Sequence, residues 1–158
     1  MEDDLGMEAD NLFQMNLRSI AHVSNDINDP YKHGWDEVVS DLVIHPDFEG
    51  AVNGLEEFSH LVVLLWMHRL PPEGRSTIKT HPQKRSDLPL VGVFATRSPA
   101  RPNPLGMTIV RLLERRGDIL RVIGLDAING TPVVDIKPYL PGDSIPDAKV
   151  ADWVHKLH

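Results

Sequence analysis

The stretch from Gly92 to Pro104 holds the residues best suited to bind an anion. It reads Gly-Val-Phe-Ala-Thr-Arg-Ser-Pro-Ala-Arg-Pro-Asn-Pro. Its three prolines fix φ at roughly −65° and remove backbone donors, which predicts a stiff loop. Arg97 and Arg101 lie in this loop, and planar guanidinium groups suit carboxylate and phosphate oxygens. The sequence therefore predicts an anion site; a surface turn with solvated arginines is the alternative.

The stretch from Gly124 to Tyr139 predicts two strands joined by the turn Asn129-Gly130-Thr131-Pro132. Gly130 lets a small ligand approach the backbone closely, and free N–H and C=O groups of such a turn suit the edge of an adenine. Alternation after the turn predicts one strand face with Val133, Asp135, Lys137 and Tyr139 and another with Val134 and Ile136. An ordinary hairpin with surface charges, among them Asp126, is the alternative.

Other cofactor and metal chemistries find no support in the sequence. There is no G-x-G-x-x-G, G-x-x-x-x-G-K-S/T, H-E-x-x-H or G-x-S-x-G motif. The chain has no cysteine, which excludes disulfides, a thiolate nucleophile and cysteine-ligated metals. None of the 8 histidines pairs with another at i+2 or i+4, so we expect no metal site.

Composition and charge favour one globular domain. The 158 residues are 41% hydrophobic and 25% charged. The net charge of −7 argues against a general nucleic-acid binder, so any RNA contact must be local. The basic positions available for it are Lys79, Lys84, Arg85 and Arg101. With no signal-peptide pattern and no apolar run near the roughly 20 residues of a membrane span, the sequence predicts a cytoplasmic protein.

The pattern of short apolar runs predicts a mainly β fold. Strand-length runs occupy residues 17–23, 38–44, 60–67, 91–95, 108–114, 119–125 and 133–139. Short helices are predicted within 46–58 and 146–157, and a long mobile loop over 71–89. Regular spacing and hairpin turns favour a small, closed or nearly closed single-sheet β-barrel with short helices. We expect an acidic tail over 1–15, either disordered or a loose helix, a barrel domain over 16–141, and an extension with a short helix over 142–158.

Three segments together resemble a known family. They are Gly-Leu-Glu-Glu-Phe-Ser-His-Leu (54–61), Gly-Val-Phe-Ala-Thr-Arg-Ser-Pro-Ala-Arg-Pro-Asn-Pro-Leu-Gly (92–106) and Asn-Gly-Thr-Pro-Val-Val-Asp-Ile-Lys-Pro-Tyr (129–139). Their order and spacing resemble those of the TsaA/YaeB family, the tRNA methyltransferase O proteins, over about residues 17–141. That family uses S-adenosylmethionine to methylate the exocyclic nitrogen of N6-threonylcarbamoyladenosine beside the tRNA anticodon, from a small β-barrel that dimerises.

The resemblance implies roles for individual residues. The implied cofactor-binding residues are Trp35, His68, Arg69, Arg97, Met107, Asn129, Gly130, Thr131 and Pro132. Arg101 is an implied substrate-binding residue, and the local positive charge adds Lys84 and Arg85 to the predicted substrate-binding residues. The predicted catalytic residues are Asp126, Lys137 and Tyr139. Asp126 or Asp135 would accept the proton of the substrate nitrogen. The resemblance also implies a tRNA partner, a homodimer and no metal.

Two departures from the family pattern leave alternatives open. A Pro-x-Gln element near the N-terminus is replaced by Asp-Pro-Tyr-Lys-His-Gly-Trp-Asp-Glu (29–37), where Trp35 would stack on the adenine instead. The chain also ends soon after Tyr139, so we expect the C-terminal domain of longer bacterial members to be missing. The alternatives are a methyltransferase of the same fold acting on another nucleotide or small molecule, and a cofactor-binding module without catalysis.

Overall fold

A closed antiparallel barrel forms the body of the protein. The computed structural model describes residues 13–157, so most of the predicted acidic tail, residues 1–12, lies outside the described residues. The strands are β1 (Ala21–Ser24), β2 (Val39–Ile44), β3 (His60–Trp66), β4 (Lys79–Thr80), β5 (Val91–Gly92), β6 (Leu105–Arg116), β7 (Ile119–Ile123) and β8 (Pro132–Pro138). The barrel has the order β1-β2-β7-β6-β3-β8, and β8 pairs with β1 to close it. This confirms the predicted mainly β barrel.

The barrel interior is filled by alternate residues of the strands. In β3, Leu61, Val63 and Leu65 are all fully buried, while the residues between them face outward, as expected for a period of two. Leu42, Leu120, Val122 and Val133 complete the same core from other strands. Closure leaves the barrel without free strand edges, which would otherwise invite pairing with another chain.

A β-bulge in β8 makes the predicted face alternation wrong. Val133 pairs with Leu65, but Asp135 pairs with Leu64, so the register shifts by one residue between them. Val133 therefore faces the core, where it is fully buried, and Ile136 packs against that core as well. Asp135 lies on the outer surface. The extra residue of a bulge reverses the side-chain parity, which a period-two pattern cannot anticipate.

Residues 67–104 form a 38-residue insertion between β3 and β6. Its structure differs from the loop predicted over 71–89 and from the strand predicted over 91–95. Within residues 71–89, 3-10 helices form at Pro72–Ser76 and Pro82–Lys84 around β4. Pro82 and Leu88 are buried, so this segment is a structured element rather than a plain loop. Residues 91–95 form the two-residue strand β5 and then a 3-10 helix, Val93–Ala95, instead of one strand.

The helices of the described chain are all short 3-10 helices of three to five residues. Between β2 and β3 they occupy Pro46–Phe48 and Leu55–Glu57, and near the C-terminus Asp152–Lys156. These lie within the two regions where short helices were predicted. In residues 13–157, no helix has the length and apolar character that crossing a membrane requires.

Candidate functional site

The predicted site residues gather mainly at one end of the barrel, which we call the insertion end. It is the end at which β3 finishes and β6 and β8 begin, because Trp66 pairs with Leu105 and Leu65 pairs with Val133. The 67–104 insertion leaves and re-enters the barrel there. The antiparallel pairing thus brings the proline-rich loop and the Asn129–Pro132 turn to the same end.

Arg97 is an exposed cation in a tightly bonded loop. The backbone before it is fixed by buried Val93, whose carbonyl accepts hydrogen bonds from both the N–H and the hydroxyl of Thr96, at 3.1 and 2.8 Å. Arg101 donates to the carbonyls of Thr96 and Ser98 at 3.2 and 3.3 Å. In the described part of the chain, the Arg97 guanidinium makes no hydrogen bond or ion pair. It is therefore available to an anion, whereas Arg101 partly shapes the loop.

The Asn129–Pro132 turn presents acceptors rather than the expected free donors. Its N–H groups donate within the chain: Asn129 to the Ile27 carbonyl at 2.7 Å, Gly130 to that of Val23 at 2.7 Å, and Thr131 to that of Ile128 at 3.2 Å. Pro132 has no N–H. Among the described residues, the carbonyls of Asn129 and Gly130 accept no hydrogen bond. The expectation of free N–H groups was wrong, and the exposed carbonyls suit a ligand with N–H donors.

The individual residues of this turn differ in exposure. Gly130 has φ of +80°, a left-handed conformation that glycine adopts without strain. Asn129 and Gly130 are exposed, whereas Thr131 is only 2% exposed and its hydroxyl donates to the Ile128 carbonyl at 2.7 Å. Thr131 thus holds the turn from beneath, and Asn129 and Gly130 form its accessible surface.

Asn25 braces the turn, and the sequence reasoning missed it. Its side-chain amide donates to the Ser40 hydroxyl and to the Ala127 carbonyl, both at 2.9 Å, while its oxygen accepts from the N–H of Ile27 at 3.0 Å. Its own N–H donates to the Asn129 side chain at 3.1 Å. Asn25 therefore joins β1, β2 and the segment that enters the turn. The Asn-Asp-Ile-Asn-Asp run after β1 is a turn signal that would have pointed to it.

His68 and Arg69 follow β3 directly at the insertion end. Both are exposed, and Arg69 donates to the Asn28 carbonyl at 3.1 Å. Partial burial, reinforced by the positive charge of Arg69, lowers the pKa of His68 below its ordinary value. His68 is therefore neutral near neutral pH, and it can accept a hydrogen bond there.

Trp35 lies beside the same end of the barrel. It begins a short 3-10 helix, Trp35–Glu37, just before β2. Gly124, which follows β7, donates its N–H to the Val38 carbonyl at 3.1 Å, so this helix adjoins the segment that leads to the turn. Trp35 is partly exposed, which leaves part of its ring open to a planar ligand.

Met107 lies on the outer wall of the barrel. It pairs with Leu64, and its side chain is 49% exposed. It belongs to an outward apolar ladder whose paired members are Val62 and Ile109, Leu64 and Met107, and Trp66 and Leu105. We call these six residues the outer ladder. A ligand at the insertion end reaches Met107 from outside the barrel and not through its core.

Asp126 is the predicted catalytic residue that lies at the insertion end. It follows β7, it is exposed, and one of its carboxylate oxygens accepts a hydrogen bond from the Thr108 hydroxyl. Thr108 is on β6 next to Met107. This bond holds the carboxylate in one orientation and leaves its other oxygen available. Thr108 is a second residue that sequence reasoning missed, and no motif signals it.

Lys137 and Tyr139 lie near the opposite end of the barrel. Lys137 pairs with Val62, and its ammonium contacts Asp135 at 2.9 Å. The ring of Tyr139 meets that of His60, the first residue of β3, with centroids 6.3 Å apart. Since β3 has 7 residues, about 20 Å separates its two ends. The fold does not bring these two side chains to the insertion end within one protomer, so a catalytic role for them is unsupported by the geometry.

Lys84 and Arg85, both predicted to bind substrate, differ in availability. The Lys84 ammonium lies 5.9 Å from the centroid of the Tyr31 ring, and both side chains are exposed. Arg85 instead donates to both carboxylate oxygens of Asp87, at 3.1 and 2.6 Å, and to the carbonyl of Lys156 at 2.5 Å. Lys84 is open to a polyanion, whereas Arg85 is occupied by contacts within the chain.

Metal ligands do not converge in the described chain. Residues 13–157 contain no group of three or more histidine, aspartate or glutamate side chains placed to hold an ion. The arrangement at the insertion end instead combines one available guanidinium, backbone acceptors, a partly exposed indole and an oriented carboxylate. These groups can bind a zwitterionic ligand that carries a planar base, and they can accept a proton.

Comparison with known proteins assigns the fold and the family. A model of the tRNA-methyltransferase O N-terminal domain matches residues 24–143. The crystal structure of TrmO from Pseudomonas aeruginosa superposes with a TM-score of 0.70 and 30% sequence identity, over 88% of this chain and 62% of that one.

Two curated relatives carry names that bear on the site. A probable S-adenosyl-L-methionine-binding protein of Archaeoglobus fulgidus is 43% identical over 82% of this chain and 34% of its own length. The tRNA (adenine(37)-N6)-methyltransferase of Escherichia coli is 48% identical over 64% of this chain and 45% of its own length. The chain thus spans only about a third to a half of these two relatives.

Proposed function

Because the chain belongs to the tRNA-methyltransferase O N-terminal domain family, we propose that it methylates the N6 nitrogen of adenine 37 in tRNA, using S-adenosylmethionine. The activity named for the Escherichia coli relative supports this reaction and position. The observation in the structure that carries the proposal is the free Arg97 guanidinium at the same barrel end as the exposed carbonyls of Asn129 and Gly130. We propose N6-threonylcarbamoyladenosine as the natural acceptor.

The residues of the insertion end fit S-adenosylmethionine, which supplies an activated methyl group when it is bound. Its carboxylate needs a cation, and Arg97 is the available one in the proline loop. Its adenine carries an exocyclic N–H₂ donor that the carbonyls of Asn129 and Gly130 can accept. Trp35 offers a face for stacking, and neutral His68 adds no positive charge next to a sulfonium.

Asp126 is the residue we propose to accept the proton of the substrate nitrogen. Its carboxylate is oriented by Thr108, and oriented carboxylates serve as general bases when they lie within hydrogen-bond reach. Thr108 acts only by holding Asp126. Asp135, the other residue considered for this role, forms an ion pair with Lys137 at 2.9 Å on the outer wall, which disfavours it.

We propose that Lys84 and Arg101 bind RNA, together with Lys79, which lies on β4. The overall charge of −7 repels RNA, so these few cations must contact phosphates locally. A tRNA substrate would also place the protein with the tRNA pool, and we propose the cytoplasm as its location. Imaging of a fluorescent fusion of the full chain tests that assignment.

We also propose that the protein is a homodimer. The outer ladder exposes Leu105, Met107 and Ile109 at 41%, 49% and 48%, and a row of apolar side chains on an outer sheet wall is typical of a surface that packs against another. Since Met107 is part of this ladder and is also an implied cofactor contact, the proposed interface and the proposed cofactor site adjoin.

Methyl transfer to tRNA is the decisive experiment. Purified protein is incubated with radiolabelled S-adenosylmethionine and tRNA that carries N6-threonylcarbamoyladenosine, and digested nucleosides are identified by mass spectrometry. We expect label on that nucleoside only, and Asp126→Asn should lose about 99% of the rate or more, since a general base contributes on the order of 100-fold or more. Cofactor binding without transfer to tRNA would contradict the proposal, and transfer to free nucleosides would favour the small-molecule alternative.

A further inference from the structure

The loop from His81 to Leu88 holds Lys84 in an unusual backbone conformation. Gln83 and Lys84 have φ of +52° and +56°, the only non-glycine residues with positive φ in the described chain. Such conformations are unfavourable for residues with a Cβ and persist only where the surroundings enforce them. Buried Pro82 and Leu88 anchor both ends of the loop, and the His81 ring bonds to the Leu88 carbonyl at 2.7 Å.

Arg85 connects this loop to the C-terminal segment. One side of its guanidinium bonds to both oxygens of Asp87, and another nitrogen donates to the Lys156 carbonyl at 2.5 Å. The hydrogen bond with Asp87 raises the pKa of Arg85 and lowers the pKa of Asp87, so both groups are charged throughout the neutral range. We call Arg85, Asp87 and the Lys156 carbonyl the clamp.

The C-terminal segment depends on the clamp for its attachment. Within the described residues, the Arg85 bond to Lys156 is the one hydrogen bond that joins residues 145–157 to the preceding chain. Residues 144–152 are all exposed, whereas Trp153, Val154 and Leu157 are partly buried. The first part of the segment is therefore exposed, and its last part contacts the loop that carries Lys84.

We infer that Arg85 is a positioning residue for tRNA binding: the clamp docks the C-terminal segment on the 81–88 loop and fixes the backbone that presents Lys84 beside Tyr31. This inference rests on the proposed function, because it assumes that Lys84 contacts RNA. It replaces the predicted role of Arg85 as a direct substrate contact, since each edge of its guanidinium already has a partner within the chain.

The two roles predict opposite effects of neutralising Asp87. If Arg85 bound phosphate directly, Asp87→Asn would free its guanidinium and remove a negative charge, so tRNA would bind more tightly. If Arg85 is part of the clamp, Asp87→Asn releases the loop and tRNA binds more weakly. We expect a loss of about two- to fivefold, in the range that a single exposed ion pair supports.

The first measurement is tRNA affinity by fluorescence anisotropy at two salt concentrations. We expect Asp87→Asn, Arg85→Ala and Arg85→Lys to weaken binding similarly; the lysine variant is included because an ammonium lacks the planar fork that reaches both carboxylate oxygens and the carbonyl. Because these variants act through Lys84, their salt slopes should fall by no more than the decrease of about 0.7 to 0.9 that we expect for Lys84→Ala. Glu73→Gln, which neutralises another exposed carboxylate of the insertion, controls for the general effect of charge.

The second measurement is hydrogen exchange of the amides in residues 150–157 without RNA. We expect faster exchange in Asp87→Asn and Arg85→Lys and parent-like exchange in Lys84→Ala. Unchanged exchange, or tighter tRNA binding by Asp87→Asn, would overturn the clamp. If Lys84→Ala alters neither tRNA affinity nor its salt slope while the clamp variants speed exchange, then the assumed RNA contact fails and the positioning role falls with it.

Discussion

At the level of single residues, the proposed binding of the cofactor depends most on Arg97, whose guanidinium has no partner among the described residues. Most other arginines of the barrel and its insertion have partners within the chain: Arg121 with Asp41, Arg115 with Glu56, and Arg85 with Asp87. Arg97 lies in the stiff proline loop, exposed and without such a partner among the described residues. A bound carboxylate would meet a side chain whose backbone is already fixed by the loop, which lowers the entropy lost on binding.

Replacing Arg97 with alanine should weaken the binding of S-adenosylmethionine by about tenfold or more. The reason is that a charge-assisted hydrogen bond contributes about 1.5–3 kcal/mol. Calorimetric titration of the cofactor measures the change, and thermal melting should be that of the parent because Arg97 has no contact to lose. The control is Arg111→Ala, another exposed arginine, on β6. Equal affinities in parent and Arg97→Ala would remove Arg97 from the site.

The lowered pKa of His68 predicts a pH-dependent stability. The folded state resists protonation of His68, whereas the unfolded state binds the proton near the ordinary value of 6.5. Stability should therefore be fully present above about pH 6.5 and decline as the pH falls below it. Urea unfolding at several pH values measures this, and His68→Gln should make the decline shallower. The same slope in both proteins would contradict the assignment.

Residue types and spacing singled out the proline-rich loop that we propose to bind an anion, but they could not show which of its charged residues have partners within the chain. The sequence predicts the same thing for four residues, an exposed cation in a proline-rich region: Lys84, Arg85, Arg97 and Arg101. Whether each is free depends on contacts distant in the chain, such as the bond from Arg85 to Lys156, 71 positions away. Similarly, Lys137 is close to the Asn129–Pro132 turn in sequence, yet strand β8 carries it toward the other end of the barrel.

Among the elements, the turn that enters β8 is held by Asn25 rather than by its own sequence. The Asn25 amide connects the ends of β1 and β2 with the Ala127 carbonyl, and Ser40, one of its partners, is only 1% exposed. Removing the amide leaves a buried hydroxyl and a carbonyl without a donor, and unsatisfied buried groups are costly. The shape of the turn and the stability of the barrel are thereby coupled.

Asn25→Ala should lower the free energy of unfolding by about 1–3 kcal/mol and weaken cofactor binding as well. Chemical denaturation and calorimetry measure the two effects. Asn53→Ala is the matched control, because Asn53 accepts a hydrogen bond from Arg115 at 2.6 Å outside the turn. We expect it to affect stability without affecting cofactor affinity. A parent-like cofactor affinity in folded Asn25→Ala would show that the turn does not need this brace.

The barrel strands can be predicted from the local sequence pattern, whereas the bulge in β8 and the structure of the insertion, which shape the candidate site, cannot. Alternation in residues 60–66 and the Arg116-Gly117-Asp118 turn, with Gly117 at φ of +57°, predict β3 and the β6–β7 hairpin. The bulge in β8 depends on its pairing with β3, so parity alone assigned Val133 to the wrong face. The insertion contains only two-residue strands, too short for a periodic signal.

At the scale of the whole molecule, the area of the outer ladder limits how a dimer can form. The ladder is about 17 Å long and, across its two strands, about 10 Å wide, which gives an area of roughly 170 Å². A standard interface buries about 800 Å² per partner. The insertion begins and ends at the Trp66–Leu105 row and exposes Ile78, Leu90 and Phe94 at 71%, 56% and 78%. A dimer built on the ladder would therefore need further surface, and the exposed apolar residues of the adjoining insertion offer it.

Placing a charge in the outer ladder should separate the proposed dimer. Ile109→Lys puts an ammonium opposite Val62, in the row of the apolar ladder farthest from the insertion, where burial of an unpaired charge in the interface is strongly unfavourable. Light scattering at micromolar concentration should report a dimer for the parent and a monomer for the variant. Leu113→Lys is the control, since Leu113 is 45% exposed on the same strand but outside the ladder, and it should remain dimeric. A parent that is monomeric and still methylates tRNA would rule out the dimer, and a dimeric Ile109→Lys would move the interface away from the ladder.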